Sequence, residues 1–365
     1  MIGIMMNVLH RCKKYLTDNK KVLLTLGLIF LGALLLRLVK LGTLPVDPHE
    51  DEIMSGYVGR YILENGKDLY GNPWPLLYFN KFGDYYIILP MYLSGISTFL
   101  FGVTAFAVRF PAALMGSLAV LPIFFITKEI LRNDKVALLS ALLVAITPWH
   151  IILSRSSGEG VTGSTIFLFG IYFLLVSLRN QNLRILFTAV TIFLVTYLIY
   201  HPFRIYVPLS LLGAGFLFDL FKKNRNYILI FSILTIFFFG LTFYISSTPW
   251  GKGRFTQTSV LGAQSGVSIK INTGIYGDSS VLEARFFHNK VVVYGKELLS
   301  QYFSYLSPNY LFITGGVYSR YSVHETGLLY LAYLFSLAAL YKAKQFPIKN
   351  KSGVLFWAFL FFLSI

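Results

Sequence analysis

Ten apolar runs set the first bound on what this chain can fold into. The first covers residues 22–41 (VLLTLGLIFLGALLLRLVKL), close to the roughly 20 residues a helix needs to cross a bilayer core. Others lie near 85–102, 106–127, 136–153, 162–178, 184–200, 205–221, 227–246, 327–341 and 353–365. Charged residues make up 13% of the 365, against about 25% in an average soluble domain, too few to cover a soluble surface. The reading is an all-α polytopic membrane protein, a multi-helix transmembrane bundle. Disorder, collagen-like repeats and coiled coil are excluded by the high apolar content and the lack of a Gly-X-Y or charged heptad period.

The few charges fix a topology. Lys and Arg number 32 against 16 Asp and Glu, a net +16. In a membrane protein such an excess belongs to cytoplasmic loops facing anionic lipid rather than to nucleic acid, and no nucleic-acid partner is expected. Arg11, Lys13, Lys14, Lys20 and Lys21 precede the first run, which places the N-terminus in the cytoplasm and makes the run a signal anchor. Arg37 and Lys40 near its far end are read as snorkelling. Basic links at Arg132/Lys135, Arg179/Arg184, Lys222/Lys223/Arg225 and Lys342–Lys351 are cytoplasmic by the same rule. The chain then leaves the first span outside and must be inside again by Arg132, although two apolar runs intervene. Run 85–102, with Pro90, Gly95 and several Ser/Thr, is predicted to lie at the outer interface or re-enter, while 106–127 crosses. The organisation is a basic N-terminus 1–21, a transmembrane core 22–246 with outer loop 42–105, an outer region 247–326, and C-terminal spans 327–365. The last run ends uncapped at Ile365 and reads as continuing. Segment 251–280 reads as a mobile outer loop.

The parity argument gathers the scarce carboxylates with cations on one face. Asp47-Pro48-His49-Glu50-Asp51-Glu52 opens a helical pattern just past the first span. Acids there suit the helix dipole as a simple N-terminal cap, and equally suit a general base held at the membrane surface. Glu159 is the only acid between Asp134 and Asp219 and follows Ser154-Arg155. Tyr200-His201-Pro202-Phe203-Arg204 forms a third patch; Lys81 and Arg109 fall on the same side. Charges at such places mark function or reach lipid phosphate. Other chemistry finds no motif. Gly251-Lys252-Gly253-Arg254 lacks phosphate-loop spacing, the six histidines have no zinc spacing, and Cys12 stands alone, leaving no intrachain disulfide. Whether a metal is used stays open; a divalent cation on His49 with Asp47 and Asp51 is the one possibility the residues offer.

These residues resemble the membrane-embedded C-type glycosyltransferases of the protein O-mannosyltransferase and lipid A aminoarabinose transferase type. The resemblance rests on Arg37, Leu44-Pro45 and the Asp51-Glu52 pair, then the segment from Gly66-Lys67-Asp68 to Asn72-Pro73-Trp74-Pro75. It continues through Val108-Arg109-Phe110-Pro111, Pro148-Trp149-His150 with Ser154-Arg155 and Glu159, Tyr200 with Arg204, and His324-Glu325. It implies juxtamembrane helices in the first outer loop and a polyprenyl-phosphate sugar as donor, with an acceptor hydroxyl on a protein, lipid or glycan. It places the catalytic carboxylate in the Asp-Glu pair, hence Asp51 over Asp47, and a second acid at Glu159. Relatives carry a Lys-Pro-Pro stretch where Lys81-Phe82-Gly83 stands here without the prolines. The expected chemistry is one inverting displacement at the outer face of the cell membrane. Asp51 is the base, Glu52 and Glu159 orient, and Arg204, Lys81, Arg109 and Arg155 serve the donor phosphate. Asp47, His49, His201 and His324 are further candidates. A flippase or transporter of lipid-linked saccharide, or an enzyme with a diphosphate donor, would share much of this pattern.

Overall fold

In the computed structural model, the apolar runs that fall on described residues fold mainly as helix. The structure describes residues 19–81, 84–156, 158–218, 224–252 and 280–315, with 327 and 329. Cys12, Lys222, Lys223, His324, Glu325, almost all of segment 251–280 and nearly all of the last two apolar runs lie outside them.

Helix α1 (Lys20–Leu38) is the first span. Helix α2 (Glu50–Asn65) follows, then strands β1 (Tyr78–Lys81) and β2 (Asp84–Ile87), then α3 (Leu89–Phe101). Helices α4 (Ala105–Leu118) and α5 (Val120–Leu131) together make the second span, Ala105–Leu131. Helices α6 (Asp134–Ile146) and α7 (Pro148–Ser154) meet at a 57° bend, where Pro148 cannot donate into the ladder. Helices α8 (Glu159–Asn180), α9 (Leu183–Tyr197), α10 (Phe203–Leu217) and α11 (Arg225–Ser247) complete the bundle. Helices α12 (Val281–Phe287) and α13 (Lys290–Leu306) and a π-helical turn (Tyr310–Thr314) follow.

Four of these helices are long and apolar enough to cross a membrane, five with the bent pair counted as one. Their outer surfaces are apolar: Leu28 on α1 is 61% exposed and Phe243 on α11 77%. Such surfaces suit lipid and not water, and the protein is a multi-pass membrane protein of all-α class.

The termini fall into two groups. At one end Gln181 Oε1 accepts from the Asn224 amide at 2.9 Å, Tyr227 bonds Ser177 at 2.8 Å, and Glu129 accepts from Arg179 at 2.9 Å. Lys128, Arg132, Lys135, Arg184 and Arg225 lie at the helix ends here, with Asn133, Asn182 and Asn224 as N-caps. The other end carries α2, the β-ribbon, α3, α7 and the start of α8. Helix α3 has 13 residues, too few to cross, and packs along α2.

Contact between α2 and α3 depends on small residues. A Cβ on Gly59 would lie 1.8 Å from the Met91 carbonyl oxygen, and one on Gly95 2.4 Å from the backbone of Gly59. Only glycine permits that approach. Two details depart from the sequence reading. The β-ribbon pairs Tyr78 with Ile87 through Lys81 with Asp84 in a region read as outer loop and the start of the interfacial run; Tyr78-Phe79 and Tyr85-Tyr86-Ile87 are residue types that favour pleated backbone. Arg37 does not snorkel. It is fully buried and donates to Ala145 O at 3.0 Å, Ala33 O at 3.0 Å and Ser154 Oγ at 3.1 Å, with His150 Nδ1 at 2.9 Å. The bend at Pro148 frees the Ala145 carbonyl, and a fixed guanidinium fork satisfies it more cheaply than an extended side chain reaching water.

Candidate functional site

The acids just past α1 open α2 rather than trail from it. His49 is the N-cap; its Nδ1 lies 3.1 Å from the Asp51 amide and 3.2 Å from Asp51 Oδ2. Glu50, Asp51 and Glu52 fill the first turn, where the dipole favours them. Consecutive positions on a helix point different ways, and here that separates their work. Glu50 is exposed, Asp51 is half-buried with 40% of its side chain open, and Glu52 is 4% exposed.

Glu52 faces inward and accepts from Arg109 Nε at 2.7 Å. Arg109 is 1% exposed and also donates to Pro45 O at 2.9 Å and Leu41 O at 3.2 Å. The pair ties α2 to the second span and to the chain leaving α1. Burial pushes the Glu52 carboxyl above the ordinary range, and Arg109 draws it part of the way back.

Asp51 faces an open cavity of about 680 Å³. Its Oδ1 accepts from Lys81 Nζ at 2.8 Å and from the Tyr86 hydroxyl at 3.0 Å. The two donors come from the two strands, so the β-ribbon is what delivers them. Burial pulls the Lys81 ammonium down, but the bonded Asp51 carboxylate, with Tyr86 and Glu50, more than offsets this and holds it above the usual lysine range. Burial, then the Asp51 charge, pushes the Tyr86 phenol up to about 12.

Glu159, the first residue of α8, lines the same cavity, with Ser156, Tyr200, Tyr305 and Tyr310. A second cavity of about 340 Å³ adjoins it across Tyr200 and is lined by His201, Arg204 and Tyr206. Arg204 Nη1 lies 2.9 Å from His201 Nδ1, and the guanidinium sits 5.4 Å from the centre of the Trp250 ring. Its Nε is buried without a hydrogen-bond partner. Trp250 in turn stacks on Tyr78 of β1, centroids 5.2 Å apart.

The structure therefore brings together Asp51, Glu52, Lys81, His49 and Glu159, with Arg204 and His201 next door. It gives Arg155 a different task. That guanidinium donates to the carbonyls of Leu36, Arg37, Val39 and Leu44 at 2.8–3.2 Å, closing the open end of α1. Asp47 is exposed and does not line the cavity. Among the described residues no group of three or more His, Cys, Asp or Glu side chains is arranged to hold a metal ion. Tyr86, Tyr305 and Tyr310 were not singled out from the sequence. Only the Asp84-Tyr85-Tyr86 run beside Lys81 carried a signal for the first, and tyrosines are too common here (24) for the others.

No curated protein matches the chain. Residues 88–244 match the family described as dolichyl-phosphate-mannose-protein mannosyltransferase. The match begins after Asp51, Glu52 and Lys81 and includes Arg109, Arg155, Glu159 and Arg204. Over this stretch, which is less than half of its length, the chain is similar to that mannosyltransferase family.

Proposed function

We propose that the protein transfers a sugar from a polyprenyl-phosphate donor to an acceptor hydroxyl at the outer face of the cell membrane, inverting the anomeric centre, with Asp51 as general base. One observation carries the reading: a half-open carboxylate at a helix N-terminus faces a cavity of substrate size, bonded to a lysine that a phosphate can take over.

The acceptor O–H gives its proton to Asp51 while its oxygen bonds to the sugar C1. The C1–O bond to phosphate breaks, and polyprenyl phosphate leaves with the electron pair. A leaving group already this anionic needs cations more than an acid. In the free site Lys81 holds Asp51 Oδ1. Donor phosphate beside Lys81 shares that ammonium and leaves Asp51 Oδ1 open to the acceptor hydroxyl. Arg204, with one donor unsatisfied and His201 beside it, holds phosphate or sugar oxygens in the adjoining cavity. Glu159 orients the acceptor from the opposite wall. Glu52 and Arg109 keep the Asp51 backbone in place. The basic end faces the cytoplasm by the charge rule, which puts the cavity outside and the N-terminus inside.

The test is transfer from a polyprenyl-phosphate sugar by the purified protein in lipid. Asp51→Asn is expected to lower turnover by about 10²–10⁴-fold. Full turnover in that variant removes Asp51 as the base. Saccharide movement across the bilayer without transfer by the unaltered protein replaces the enzyme with a transporter.

A further inference from the structure

Helix α13 is amphipathic, and no other described helix covers its apolar side. Val291, Tyr294, Gly295, Leu298, Tyr302 and Tyr305 recur at three- and four-residue steps, flanked by Val292, Leu299 and Phe303. Val291 is 82% exposed, Phe303 62% and Leu299 59%. The opposite side carries Lys296, Glu297, Ser300, Gln301 and Ser304, with Val293 the one apolar side chain among them, and Glu297 accepts from Gln301 within that face at 3.2 Å. Phe286 and Phe287, just before α13, extend the apolar surface.

The depth of this helix is set by what it touches. Tyr305 in its last turn and Tyr310 just beyond line the Asp51 cavity together with Glu159. Glu159 is the first residue of a membrane span. The C-terminal part of α13 therefore stands where that span leaves the bilayer. Lys290 and Lys296 are both exposed, against one acid, Glu297, a balance that suits anionic headgroups.

We propose that α13 lies in the membrane interface, its apolar side in the boundary between headgroups and acyl chains. It thereby forms the lipid-side wall of the cavity, with Tyr305 and Tyr310 between bilayer and Asp51. A substrate carried in the membrane enters past these two rings.

Single cysteines at Val291, Leu298 and Phe303, and at Ser300, Gln301 and Ser304, each in a Cys12→Ser background, test this. All six positions are exposed, so labels there disturb no packing. The full chain is spin-labelled in vesicles of phosphatidylcholine with phosphatidylglycerol, and collisions with oxygen and with a water-soluble nickel complex are compared. The expected result is a helical period in the oxygen-to-nickel ratio, high at 291, 298 and 303. Their depths should be about 5–10 Å below the phosphates. Equal exposure of all six to the nickel complex places α13 in water and overturns the proposal. Protection of 291, 298 and 303 from both reagents means that protein, not lipid, covers the face, and overturns it equally. The readout needs no transfer activity, so it stands or falls apart from the proposed reaction.

Discussion

Asp51 and Glu52 are neighbours with opposite surroundings, and single substitutions should separate their roles. Glu52 is buried against Arg109, and removing one member of such a pair strands the other. Glu52→Ala is expected to cost about 3–5 kcal/mol of stability, measured by unfolding in detergent. The double variant Glu52→Leu, Arg109→Met should regain most of that loss, because both desolvated charges are gone. For Lys81 the sign follows from its raised pKa. Its pairing stabilises the fold below the lysine's unfolded value, and that contribution is lost as pH rises through the higher folded value. At mildly alkaline pH the native Lys81 thus holds less free amine than an ordinary lysine. Asp51→Asn removes the carboxylate, lowers the pKa and exposes more free amine. Mass-spectrometric acetylation rates at Lys81 should rise in that variant and stay constant at exposed Lys67.

Among the elements, the α2–α3 pair is the one whose geometry the site depends on. Gly59→Ala would push a methyl against the Met91 backbone, and the helices can only part. The expected cost is about 1–3 kcal/mol or more, with weaker donor binding as the ribbon carrying Lys81 moves from Asp51. Gly32→Ala on α1, where nothing lies within 4 Å, should stay within about 0.5 kcal/mol and leave transfer unchanged. The helical elements were legible because apolar periodicity and length are local properties. The ribbon was not, since four-residue strands of tyrosine, phenylalanine and isoleucine look like any short apolar run. The bend at Thr147-Pro148 was written in the proline, but that Arg37 fills it was not.

At the scale of the whole molecule, the two ends differ in charge. The basic residues of the links gather at one end and the cavity opens at the other. Cysteines introduced at exposed Leu76 and Arg184 in a Cys12→Ser chain should report this. A membrane-impermeant thiol reagent added to intact cells is expected to label 76 and not 184. The reverse pattern would place the cavity in the cytoplasm and overturn the proposed outer-face reaction.

By itself the sequence determined that the chain crosses a membrane several times, which runs can cross, and that Asp51, Glu159 and Arg204 fall on one side. Span length and the placement of Lys and Arg are read along one dimension, and the bilayer imposes the rest. Only the tertiary structure decided which charges face the cavity. In the sequence Arg109 and Arg155 stand beside Arg204 as candidate phosphate ligands, and Arg37 reads as snorkelling. Apart from Ala33 O beside Arg37, the partners of Arg109, Arg155 and Arg37 lie 57 to 119 residues away, at Glu52, Ser154, His150 and carbonyls left open by helix ends and a bend. A buried guanidinium must be satisfied by whatever the fold brings to it, and that depends on which backbone ends meet in three dimensions.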